Sequence, residues 1–207
     1  MREAGLRTAL RGVAFALLLP AVGCSGSSGG GSPYGTGDPK LAAPNPGGGP
    51  IDPFLTDGQA VLHALDAIGA RSGRPLRVTS MTADGVNGLT VDVQEPAHPT
   101  NVDQYKITPD GTLSGPTPVR LMSLNGGPIT QADVDRKAFD PRAVGFARLE
   151  TTAREGIAQS KYPDARVSEW DFDGMHADDR RFMYFDAARA RPAAELGPHL
   201  TIVALRF

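Results

Sequence analysis

The chain has 207 residues, with 21 Lys and Arg against 23 Asp and Glu, a net charge of −2 and one cysteine. Without a basic surplus it has no electrostatic footprint for nucleic acid, and a lone cysteine excludes an intramolecular disulfide. No apolar run approaches the roughly 20 residues that span a bilayer.

The first elements form an address. Arg2, Arg7 and Arg11 precede a short apolar run, Val13 to Leu19, and then the small residues Ala21, Val22 and Gly23. Basic, apolar and small segments in that order predict a secretory signal over residues 1–23. The run ends at Cys24, the one thiol in the chain. Ala21-Val22-Gly23-Cys24 resembles the lipobox of bacterial lipoproteins, although that pattern usually has leucine where Ala21 stands. The resemblance implies lipidation of Cys24 and attachment to the cell envelope through a lipid anchor. With Ser25 following, it implies the periplasmic face of the outer membrane if the cell is Gram-negative. A thiolate is the nucleophile such thioether chemistry needs.

Residues 24–55 are rich in Gly, Ser and Pro, with few large apolar side chains. The composition predicts a flexible tether. Gly26-Ser27-Ser28-Gly29-Gly30 matches a serine-hydrolase string, but that string has meaning only at a strand-to-helix turn.

The remainder, 56–207, reads as one α+β domain of two tandem units, 56–128 and 129–207. Thr56 and Gln59 have capping-box spacing. Val61, Leu65 and Ile68 then mark the buried stripe of a helix that Ser72-Gly73 ends. Strands follow at 76–82, 88–95 and 102–108, with Leu89, Val91 and Val93 alternating against Thr90, Asp92 and Gln94. Turns at Asp84-Gly85, Asn87-Gly88 and Pro109-Asp110-Gly111 favour an antiparallel meander. A brief extended piece is expected at 119–121.

In the second unit Thr130 can cap a short helix through Asp133, and Asp140-Pro141 reads as the N-cap and first residue of a main helix over 144–160. Strands are expected at 165–173, 180–186 and 199–207. Aligning Ile68 with Ile157 also aligns Ala64 with Ala153 and Val78 with Val167. Each unit thus reads as a helix plus three strands, joined into one antiparallel sheet with the helices on one face. This order, with Asp103-Gln104-Tyr105-Lys106 and Pro109-Asp110-Gly111, resembles the PepSY-like and beta-lactamase-inhibitor-like tandem units of exported bacterial proteins. The resemblance implies binding or inhibition, including a peptidase-inhibitor role, rather than catalysis.

No Ser-His-Asp or H-E-x-x-H pattern appears, no catalytic residue is assigned and no cofactor fingerprint is present. Asp171, Asp173, His176 and Asp178 cluster carboxylates around a histidine, a donor set for calcium or zinc in an alternative hydrolase or metal-binding reading. A solvated turn is the simpler account of that segment. The uncovered sheet face is the expected surface for an envelope protein or other envelope component, with Trp170, Tyr184, Tyr105 and Arg181 as candidate anchors. By alternation Trp170 and Phe172 share one face of their strand and Phe182 and Tyr184 one face of the next, and core or cross-strand packing is the simpler account of any one of these rings.

Overall fold

The structure, a computed structural model, describes residues 33–35, 38–45, 51–121, 127–174 and 180–207. Helix α1 spans Gly58–Ser72 and is followed by strands β1 Val78–Asp84, β2 Gly88–Gln94, β3 Val102–Ile107 and β4 Leu113–Val119. Helices α2 Gln131–Lys137 and α3 Leu149–Gln159 precede β5 Arg166–Asp173, β6 Arg180–Asp186, β7 Ala193–Leu196 and β8 Ile202–Arg206. The strands form one sheet in the order β4-β3-β2-β1-β5-β6-β7-β8, with every neighbouring pair antiparallel. The fold is therefore mixed and sheet-dominated. Each long helix leads into four strands rather than the three expected. The additional strands are β4, which carries Pro116 and Pro118, and β7, which is Ala-Ala-Glu-Leu. Neither has the β-branched or aromatic alternation that identifies a strand.

Helix α1 is capped by Asp57, whose carboxylate accepts from Gln59 N–H at 2.8 Å and Ala60 N–H at 3.1 Å. Thr56 instead closes a 3₁₀ turn over Pro53–Leu55. Thr130 and Asp133 do form a capping box at α2. Asp140 and Pro141 open only a 3₁₀ turn, because Gly145 at φ 90° interrupts the helical path before Leu149. On one side of the sheet, Val61, Leu65 and Ile68 of α1 and Leu149 and Ala153 of α3 are buried with Met81, Leu89, Val91, Phe172 and Phe185. This is the core, and its centre is aromatic. Trp170 stacks on Phe172 at 4.8 Å, and Phe146 tilts against both.

Two features depart from expectation. Leu41 and Ala42 are buried, Ala43 N–H donates to Val167 O at 2.7 Å, and Val167 N–H donates to Leu41 O at 2.7 Å. The folded domain thus begins before Thr56, within the stretch composition assigns to the tether. Helix α2 also leaves the helix-covered side. Gln94, which continues the Thr90, Asp92 alternation, donates from Nε2 to Asp135 Oδ1 at 2.7 Å, so α2 sits over that end of the opposite face. Val134 and Val102 are buried there, apart from the main core.

Candidate interaction surface

Alternation along each strand sends one set of side chains to the helices and the other to the opposite face. On the second set, Thr82 donates to Asp171 Oδ1 at 3.0 Å and the Gln104 amide donates to Asp92 Oδ1 at 3.0 Å. Burial pushes the Asp92 carboxyl upward, Gln104 opposes this, and repulsion from Asp173 adds to it. This half of the face is a hydrogen-bonded acidic field in which polar groups satisfy one another.

Across β6 to β8 the character changes. Phe182 and Tyr184 lie two residues apart on β6, opposite in orientation to the buried Met183 and Phe185, with ring centroids 6.0 Å apart. The Arg206 guanidinium lies 5.1 Å from the Phe182 ring and that of Arg191 lies 5.2 Å from Tyr184. The order Arg206, Phe182, Tyr184, Arg191 forms a continuous cation–π stack. Carboxylates orient both ends. Glu195 accepts from Arg206 at 2.6 Å, and Glu169 accepts from Arg191 at 2.7 Å. Burial raises the Tyr184 phenol above its ordinary range, with Asp171 and Glu169 adding to the shift. A concavity of about 480 Å³ opens beside the stack, lined by Arg180, Phe182, Tyr184, Glu195 and Arg206 among others.

Of the four anchors expected from sequence, only Tyr184 belongs to this strip. Trp170 is fully buried on the helix side, where its indole N–H donates to Phe54 O at 2.9 Å. Tyr105 is 3 % exposed and pairs with the core residue Val91. Arg181 pairs with Phe172 in register and lies over the Phe139 ring, and it also lines the concavity beside the strip without joining the stack. Phe182 was legible in the period-two pattern of β6. Arg191 and Arg206 were not, because a loop and the last strand deliver them.

Asp171 is engaged by Thr82, and Asp173 sits opposite Arg180 in the β5–β6 register. His176 and Asp178 lie outside the described residues, as do Cys24 and the Gly26 to Gly30 string. Among the described residues, no three His, Cys, Asp or Glu side chains are grouped to hold a metal ion. No helix among them is long and apolar enough to cross a membrane.

Fold and surface together define a class: a single antiparallel sheet, covered on one side by two long helices and presenting an acidic and aromatic–arginine face on the other. No family model matches the chain, and no curated protein matches it. Among solved structures it is similar to the crystal structure of a candidate lipoprotein from Clostridium difficile 630, with 12% identity and a TM-score of 0.50. The match covers 79% of this chain and 99% of that one. At that identity the likeness is one of fold.

Proposed function

We propose that this protein is an exported lipoprotein, held at the cell envelope by Cys24, whose domain binds another envelope macromolecule without catalysis. The observation that carries the binding role is the Phe182–Tyr184 pair on the face opposite α1 and α3, set between two arginines. Aromatic and arginine side chains supply most of the energy at protein interfaces. The carboxylates that hold Arg191 and Arg206 reduce the ordering cost of using them. For the anchor, the basic, apolar and small-residue layout ending at Cys24 is joined by the fold likeness to a protein itself described as a candidate lipoprotein.

The element order also supports an origin by duplication. Val78 and Val167, aligned in sequence, each receive a bridge from a segment outside the strands, Phe139 and Ala42 respectively. β1 and β5 meet at the middle of the sheet, each leading its own run of four strands. This architecture supports the reading of two tandem units.

The test is affinity capture from envelope extracts with the full chain and with a Phe182→Ala, Tyr184→Ala double variant. A specific envelope component retained by the parent and lost, ~tenfold or more, by the variant is the expected result. Equal retention by both removes the strip as the binding surface. Separately, Cys24→Ser should abolish lipid labelling and shift the protein out of the membrane fraction, or leave the precursor uncut. Undiminished labelling of that variant would refute the anchor.

A further inference from the structure

The chain enters the domain at one particular end of the sheet. Pro33 and Tyr34 lie against the β3–β4 turn, where a Cβ on Gly111 would overlap the Pro33 ring and come within 3.2 Å of the Tyr34 ring. The Tyr34 ring also tilts against that of the buried Phe54, with centroids 5.2 Å apart. The β1–β2 turn stands beside the β3–β4 turn, since a Cβ on Gly88 would strike Ile107 O and lie 3.0 Å from Thr108 Cα. The opposite end carries the loop at 95–101 and α2, which the Gln94–Asp135 bond ties to the last residue of β2. The seven residues of β2 separate the two ends, a rise of ~20 Å.

Nine residue steps separate Cys24 from Pro33, a contour of at most about 32 Å. A domain held at Pro33 could present its other end to the anchor only if nearly all of that contour ran past the ~20 Å of strand and the turns at either end. The hairpin tips suit a position near lipid. Val86, in the β1–β2 turn, is 61% exposed. The acids of both tips are engaged by their own turns: Asp84 accepts from Val86 N–H at 2.8 Å and Asn87 N–H at 2.7 Å, and Asp110 accepts from Thr112 N–H at 3.0 Å.

We propose that the short connection to Cys24 holds the end formed by the β1–β2 and β3–β4 turns toward the bilayer that receives the lipid, with α2 directed away from it. This rests on the anchor assigned to Cys24 above and adds an orientation to it. The bilayer is the occupant of this end because of where the connection leaves the domain and how few residues it has. The same count bounds the binding partner. Even at full stretch, a domain ~40 Å across keeps the Phe182–Tyr184 strip within about 70 Å of that bilayer, so the partner must offer its docking site inside that layer.

Energy transfer to headgroup-labelled lipid tests the orientation, with the full lipidated chain in phosphatidylcholine vesicles. Because the lipid occupies the Cys24 sulfur, Val86→Cys and Ala97→Cys each offer a single thiol for the donor dye, at exposed positions on opposite ends. Flotation with the vesicles is scored first. Transfer from position 86 is expected to exceed that from position 97 by ~twofold or more, the two lying at least ~20 Å apart along the strands. Inserting about 20 Gly and Ser residues before Pro33, which more than doubles the contour, should bring the two values together without loss of flotation. Equal transfer from both positions in floating protein, or a difference that the insertion leaves unchanged, would overturn the orientation and leave the anchor standing. Failure to float would remove the anchor and the orientation with it.

Discussion

Asp52 is the least comfortable side chain in the core. It is fully buried, one carboxylate oxygen accepts from Phe54 N–H at 2.9 Å, and the other has no partner among the described residues. Burial raises its pKa to about 7, against the Phe54 bond and with the charge of Asp84 adding to the rise. The folded protein then holds this proton more tightly than the unfolded chain does. Below about pH 4 both states are protonated and Asp52 exerts no pH effect. Between about 4 and 7 the unfolded chain ionises first, so stability falls as pH rises, and above about 7 the loss is complete. A shift of this size corresponds to at most about 4 kcal/mol. Asp52→Asn keeps the acceptor for Phe54 and removes the charge. Its stability relative to the parent, measured by urea denaturation at pH 4.5 and pH 8, should rise by a few kcal/mol across that interval. A constant difference would show that the folded and unfolded chains hold the Asp52 proton alike and that its pKa is not raised by burial.

At the scale of elements, two glycines explain how closely the helices approach. A Cβ on Gly58 would lie 1.8 Å from Phe146 O, and one on Gly156 would lie 2.2 Å from the Phe185 ring. The first contact is with backbone and cannot yield by a side-chain rotation. Gly58→Ala, which should help an isolated helix by about 1 kcal/mol, is therefore expected to lower the thermal midpoint of the domain, whereas Gln59→Ala on the exposed side should leave it nearly unchanged. Such packing explains what could be read in advance and what could not. Periodicity located α1, β2, β3, β5 and β6, because each buries one face and exposes another. It missed β7, whose short Ala-Ala-Glu-Leu run carries no β-branched or aromatic alternation, and β4, whose prolines suit an edge but read as loop. It left the side of Trp170 open between core and anchor. Alternation puts Trp170 and Phe172 on one side of β5, but which side faces the helices is settled only by the partner strands and by the Phe54 carbonyl waiting for an indole N–H.

For the molecule as a whole, the question is where the domain ends and the tether begins. Composition places the boundary near Thr56, yet residues 38–43 complete the sheet at Val167, and Asp38 accepts from Arg154 at 2.7 Å. The reason lies in the sheet: β1 and β5 pair only over Ser80–Asp84 and Glu169–Asp173, which leaves Val167 without a β1 partner. The backbone of Leu41 and Ala43 satisfies that residue on its vacant side, while the Leu41 side chain enters the core. A segment of small residues can do this because the cost of ordering it is offset by two backbone bonds and one buried leucine. If it belongs to the fold, Leu41→Ala should cost roughly 2–3 kcal/mol in chemical denaturation, and Lys40→Ala, next to it and exposed, should cost almost nothing. A segment that behaved as free tether would make both substitutions neutral, and the amides of Ala43 and Val167 would then exchange with solvent as fast as those of an unfolded chain. Protection of those two amides comparable to that of β5 is the result expected.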